Sequence, residues 1–138
     1  MKGIIVDTGP LVAFLNARDT HHQWARETLD TVTPPISTCE AVISETCFLL
    51  RQLKGGAHSV LALVSRGIVS VEFSLTSELE PVRKLMTKYA TVPMSLADAC
   101  LVRMTELAPR STVLTLDNDF HIYRRNGRHV VPVITPPW

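Results

Sequence analysis

Along the chain, short apolar runs alternate with stretches whose apolar residues recur at helical spacing. Residues 3–6 form a β-rich run that reads as a buried strand. Residues 11–16 read as a short helix with Pro10 near its start. Residues 20–32 read as another, with Trp24, Ala25, Thr28 and Leu29 on its apolar side and Pro34-Pro35 as its stop. A brief strand at 36–38 leads into a strong helix over 39–53, ended by Gly55-Gly56. A helix over 59–66 ends at Gly67, and a strand follows at 68–73. Helices are expected at 77–89, with Pro81 in its first turn, and at 95–107, opened by Ser95 and closed just before Pro109. Then come a strand at 112–116, a helical turn at 117–123 and a last strand at 130–134, which Pro132 assigns to a sheet edge. The strands are continuous apolar runs without clean alternation. That pattern predicts an α/β fold with a central parallel sheet covered by helices on both faces. With no repeat or linker, residues 1–138 read as one domain.

Parallel sheets bind ligands beyond the C-terminal ends of their strands. The first strand empties into Asp7-Thr8, and the strand at 112–116 empties into Asp117, with Asp119 two residues on. Two more acids stand out on helices. Glu45 has Ala41, Val42, Phe48 and Leu49 at the i±3 and i±4 positions, which assigns it to the core-facing side. Asp98 has Met94, Ser95, Leu101 and Val102 at the same offsets. Glu27 and Glu106 lack such neighbours and read as ordinary surface acids. No Lys or Arg takes a helical neighbour position beside Glu45 or Asp98, and an unpaired carboxylate on an apolar face is costly. Three of the four also have a local explanation, and Glu45 is the hardest to explain structurally short of a buried Arg partner from elsewhere in the chain. Ser95-x-x-Asp98 fits a capping box, Asp117 fits a cap, and Asp7 fits an Asx turn. The case for chemistry lies in the four occurring together. Such a cluster needs protons or a divalent cation to neutralise it, and all-oxygen ligands favour Mg²⁺ or Mn²⁺ over zinc.

Composition narrows the class without naming it. Hydrophobic residues make up 46% of the 138, enough for a real core. The net charge is +1, so global charge does not mark a nucleic-acid binder, and any grip on a polyanion must be local. Candidates are Arg18 with His21 and His22, Arg103 on the helix of Asp98, and Arg124, Arg125 and Arg128 near the tail. His121 reads as surface. Cys39, Cys47 and Cys100 form no CxxC pair and suit reduced, buried thiols. The opening apolar run ends at once in Asp7, too short for a signal peptide or a membrane span. A cytoplasmic protein with no membrane partner is expected.

Taken in order, IIVDTGPLVAFLNARDTHH, ISETCFLL, PMSLADACLV and VLTLDNDF resemble the PIN-domain nucleases, especially the VapC-like toxins of prokaryotic toxin–antitoxin pairs. The resemblance covers nearly the whole chain. The family's four acidic positions fall on Asp7, Glu45, Asp98 and Asp117. Its hydroxyl positions fall on Thr8 and Thr115, and Asp119 matches an often acidic auxiliary position. Gly9 departs from a position where Ser or Asn is also common. The resemblance implies a PIN fold and an endoribonuclease that hydrolyses RNA phosphodiester bonds with metal-activated water, leaving 5′-phosphate and 3′-hydroxyl ends. Asp7 and Asp98 are expected to contact the metal most directly, with Asp117 and Glu45 acting through water. A homodimer and a small antitoxin that inserts an Arg into the acidic pocket are implied as well.

Other classes remain at this point. Asp7-Thr8-Gly9 also spells the aspartic-protease triplet, but that enzyme needs an all-β dimer, and a helical pattern follows here. A PIN-domain nuclease that processes RNA without being a toxin is a second alternative. A non-catalytic module binding RNA or protein is a third.

Overall fold

The computed structural model describes residues 1–137. At its centre lies β1 (Ile4–Val6), every residue of which is buried. It pairs in parallel with β2 (Ile36–Ser37) on one side and β4 (Thr112–Leu114) on the other. β3 (Val69–Ser70) extends the sheet beyond β2, and β7 (Val133–Ile134) beyond β4, giving the all-parallel order β3-β2-β1-β4-β7. The helices are α1 (Thr8–Leu15), α2 (His22–Asp30), α3 (Glu40–Leu49), α4 (Gly56–Ser65), α5 (Leu79–Lys88) and α6 (Leu96–Leu107). α1 packs on α2, α3 and α4, while α6 packs on α5, β1 and β4.

The strand order explains this division. The chain steps outward from β1 to β2 to β3, then crosses back to β4 and β7. Right-handed crossovers made in opposite directions lay their helices on opposite faces of a sheet. The reversal leaves a switch point between β1 and β4, where loops diverge and a crevice opens. β1 and β4, both inside the sheet, need apolar side chains on both faces, and Ile4, Ile5, Val6, Val113 and Leu114 supply them at 3% exposure or less.

The predicted α/β fold with a parallel sheet holds, with strands shorter than the apolar runs suggested. The run at 130–134 is divided. His129–Val130 (β6) pairs antiparallel with Arg124–Arg125 (β5), and β7 begins only after Pro132, whose missing N–H interrupts the ladder. β7 does lie at the sheet edge. α4 starts three residues earlier than expected, at Gly56, where a Cβ would strike the Leu50 carbonyl oxygen. Gly56 thus lets α4 turn tightly against the end of α3. Cys39 and Cys100 are buried as free thiols, and Cys47 is half-buried. No helix among the described residues is long and apolar enough to cross a membrane. A helix at Thr8 and a parallel sheet also remove the all-β protease architecture.

Candidate active site

The register of β1 and β4 sets the site. Val6 lies opposite Leu114, so Asp7 and Thr115 emerge side by side at the switch point. Thr115 Oγ1 donates to Asp7 Oδ2 at 2.7 Å and accepts the Asp117 backbone N–H at 2.9 Å. Asp7 Oδ1 accepts the Thr8 N–H at 2.8 Å and caps α1. Asp117 Oδ1 accepts the Asp119 N–H at 2.8 Å and caps a short 3₁₀ turn over Asn118–His121. One buried threonine hydroxyl thereby ties together the two strand-end acids.

Asp98 reaches the same crevice from the first turn of α6. Ser95 Oγ accepts the Asp98 N–H at 3.0 Å, while Asp98 Oδ2 stands a long 3.5 Å from the Ser95 N–H, a loose capping box. The Tyr123 hydroxyl donates to the same Oδ2 at 2.7 Å. Asp98 therefore caps its helix and faces the cleft at once. The cleft is about 670 Å³ and is lined by Asp7, Thr8, Glu45, Asp98, Asp117 and Asp119 among others.

Glu45 corrects the sequence expectation. It is exposed, on the rim of the cleft, and not on the core face. Its neighbours Phe48 and Leu49 are themselves 60% and 51% exposed. Of its four apolar neighbours, Val42 is core and Ala41 half-buried, while Phe48 and Leu49 belong to the surface. The Gly9 position also has a local cause. A Cβ there would lie 3.0 Å from Leu116 Cδ1, so Leu116 occupies the space a side chain would need.

The electrostatics are those of acids without a counter-charge. Asp7 and Asp98 are 7% and 8% exposed. Burial pushes the Asp7 carboxyl from 3.8 up to about 6; the Thr115 and Thr8 hydrogen bonds oppose the rise, and the charges of Asp98 and Asp117 add to it. Asp98 is raised as well, by burial first and then by Asp117, against hydrogen bonds from Tyr123 and Ser95. Burial and the adjacent Asp98 also raise Tyr123, so its phenol is a neutral donor at neutral pH. The ion pairs among the described residues join Arg83 to Glu80 and Arg103 to Glu78 and Glu106, and none includes a cleft acid.

Such a site takes up protons or a cation. Its donors are all oxygen, which suits a hard ion. The Thr8 hydroxyl is buried beside Asp7 with no hydrogen-bond partner among the described residues, a cost that a ligand would relieve. No three acidic, His or Cys side chains among the described residues converge into a cage. The residues fit an ion that keeps much of its water and takes few carboxylates, as Mg²⁺ does.

The basic candidates are mostly committed elsewhere. Arg103 Nε donates to Glu78 Oε1 at 2.8 Å and Nη1 to Glu106 Oε1 at 3.1 Å. Glu106, expected as a surface acid, is half-buried and also accepts the Asn126 N–H. Arg124 Nη1 donates to the His121 and Tyr123 carbonyls at 2.8 and 2.9 Å. Arg125 Nη1 donates to the Pro109 carbonyl at 3.0 Å, at the end of α6. His22 Nδ1 is 2.7 Å from the Ala13 carbonyl. Arg18 is exposed, with no side-chain hydrogen bond or ion pair among the described residues. Sequence reasoning missed Tyr123. It lies in an irregular segment where neither helical nor strand periodicity assigns a direction to a side chain.

The PIN domain family matches residues 4–126 of the chain. Ribonuclease VapC26 of Mycobacterium tuberculosis is 26% identical over 116 residues, covering 83% of this chain and 86% of that protein. The crystal structure of VapC20 from the same organism, described as a sarcin-ricin-loop-cleaving toxin, superposes with a TM-score of 0.74 at 24% identity. It covers 84% of this chain and 91% of its own.

Proposed function

The chain belongs to the PIN-domain family, and from that premise we propose that it is a divalent-metal-dependent endoribonuclease, the toxin of a toxin–antitoxin pair. The observation that carries the reading is the pair of buried, uncompensated carboxylates, Asp7 and Asp98, facing one cleft at the switch point. The VapC26 and VapC20 relatives support RNA as the substrate class.

Asp7 and Asp98 would hold the Mg²⁺ or Mn²⁺, with Asp117 and the rim residue Glu45 acting through water. When bound, the ion supplies an activated water and neutralises the charge developing on a phosphodiester. The chain's own groups do the rest. Thr115 fixes the orientation of the Asp7 carboxylate and keeps the Asp117 backbone in register with it. The Thr8 hydroxyl, otherwise unsatisfied, donates to a phosphate oxygen or to a water in the cleft. Asp119 lines the same cleft and adds an auxiliary carboxylate.

The toxin role implies a small antitoxin that covers the cleft. Exposed Phe48 and Leu49 beside Glu45 offer it an apolar foothold, and an inserted Arg would provide the cation that the cleft lacks. A homodimer working in the cytoplasm completes the proposal. The test is RNA cleavage by purified, antitoxin-free protein. Cleavage with Mg²⁺ or Mn²⁺, abolished by EDTA and restored by added metal, is expected. Cleavage that persists in EDTA would overturn the metal-dependent reading. Intact RNA together with no metal binding would overturn the enzyme.

A further inference from the structure

The segment after β4 does two things at once. Its start, Asp117 to Asp119, lines the cleft. It then folds back through the 3₁₀ turn, with the Ile122 and Tyr123 N–H groups bonded to the Asp119 carbonyl at 2.9 and 3.2 Å. The fold-back delivers the Tyr123 ring to the interior, where it is wholly buried. Phe120 meets that ring edge-on at a centroid distance of 5.3 Å, and Tyr89 meets it at 5.2 Å. The Tyr89 hydroxyl accepts the next N–H along, that of Arg124, at 2.8 Å.

This packing uses the ring and has no need of the hydroxyl; a phenylalanine would fill the same space. Burying a hydroxyl costs free energy unless it finds a partner. The partner of Tyr123 is Asp98 Oδ2, at 2.7 Å. Beside that bond, the contact of Oδ2 with the Ser95 N–H, at 3.5 Å, is marginal. Asp98 Oδ1 has no hydrogen bond among the described residues, and Asp98 lines the cleft. A carboxylate held by one oxygen presents the other in a fixed direction. The neighbouring acid is held differently, with each Asp7 oxygen accepting one bond.

We infer that Tyr123 is a positioning residue, whose buried hydroxyl clamps Asp98 Oδ2 so that Oδ1 is presented to a divalent cation in the cleft. The inference rests on the metal-dependent reading of the site and adds a part to it. One rigid turn then sets Asp117 and Asp119 from its beginning and Asp98 from its end. A group that orients a ligand carboxylate in this way is worth about 10- to 100-fold in metal affinity or rate.

The test is Tyr123→Phe on the full chain, with Mn²⁺ binding followed by electron paramagnetic resonance and RNA cleavage followed in parallel. A melting temperature near that of wild type is expected, because the ring stays packed. The Mn²⁺ dissociation constant should rise about tenfold. kcat should fall by a similar factor at saturating RNA, with KM for RNA unchanged. In an Asp98→Asn background the same substitution should change Mn²⁺ affinity by less than about twofold, because the two residues act as one unit. Wild-type Mn²⁺ affinity in Tyr123→Phe, or an equal loss in both backgrounds, would overturn the inference and leave the nuclease reading standing. A wild-type protein that binds no Mn²⁺ would overturn both. Should Tyr123→Phe fail to fold, the wild-type hydroxyl proton decides by NMR: a shift on adding Mg²⁺ supports the clamp, and no shift on binding overturns it.

Discussion

Two clusters of half-buried or buried carboxylates lie along α6, and they are neutralised in opposite ways. Toward the middle and end of the helix, Glu78 and Glu106, with side chains 20% and 11% exposed, share the guanidinium of Arg103. At its beginning, Asp98 shares a cleft with Asp7 and Asp117, and no Lys or Arg answers them. The same chemical group is structural in one place and a standing demand for a ligand in the other. The difference comes from whether the chain itself brings a cation. Burial raises Asp7 and Asp98, whereas the carboxylates around Arg103 hold its proton more firmly still.

The largest expected break of this contrast is Asp98→Asn. It removes a charge from the uncompensated cluster while leaving an oxygen to accept from Tyr123 and Ser95. Metal-supported RNA cleavage should fall by about 10³-fold with the fold intact, as checked by kinetics beside circular dichroism. Wild-type rates would remove Asp98 from the site.

Asp7→Asn should separate activity from stability. In the metal-free protein the folded state holds the Asp7 proton up to about pH 6, against an ordinary value of 3.8. Ionisation therefore costs more in the folded state, and stability from this group is lost as pH rises from about 4 through about 6. Asp7→Asn should abolish cleavage yet stabilise the metal-free protein at pH 7, by up to about 3 kcal/mol. Denaturant melts at pH 4 and pH 7, with and without Mg²⁺, measure this. The gain should vanish at pH 4, where wild-type Asp7 is largely protonated, and shrink when Mg²⁺ neutralises it. A destabilised mutant at pH 7 would show that the cluster is not self-repelling.

Arg103→Met attacks the other cluster. Two partly buried carboxylates lose their cation, and a loss of about 1–3 kcal/mol is expected, less than for a fully buried pair because solvent reaches the charges. Urea melts would show it, while cleavage stays within a few-fold of wild type at a temperature where both proteins are folded. A large loss of RNA affinity without a loss of stability would instead return Arg103 to the RNA-binding set. Arg18→Ala should have the smallest effect. One exposed cation lost should raise KM for RNA a few-fold and flatten its salt dependence, with melting unchanged. An unaltered salt slope would place the RNA path elsewhere.

Much of this was legible in the sequence, for reasons that differ by residue. Asp7 and Asp117 follow apolar runs that have to be inner strands, so the parallel-sheet rule alone places them at one edge. Asp98 could be located because α6 is buried over most of its circumference, and an acid in its first turn has little choice of direction. Glu45 failed the same argument. Phe48 and Leu49 obey helical spacing but face solvent, and periodicity reports which residues share a side without saying what covers it. Pro132 marks the sheet edge as expected, but the apolar run 130–134 does not reveal that Val130 pairs with β5 while Val133 pairs with β4. Tyr123 and the Arg103 triad were out of reach. Glu106 lies three residues from Arg103 on α6, but Glu78 and the Asp98 partner of Tyr123 are each 25 residues away along the chain, and such contacts depend on how α5, α6 and the closing turn dock.

The contact between position 9 and Leu116 has a further consequence. A Cβ at residue 9 would meet the Leu116 side chain at 3.0–3.2 Å, so the two positions are packed against each other and Leu116 must shift for any larger residue at 9. A lineage gaining serine or asparagine at position 9 should first, or at the same step, acquire a smaller residue at 116. Two letters more than a hundred places apart would then be expected to change as a pair.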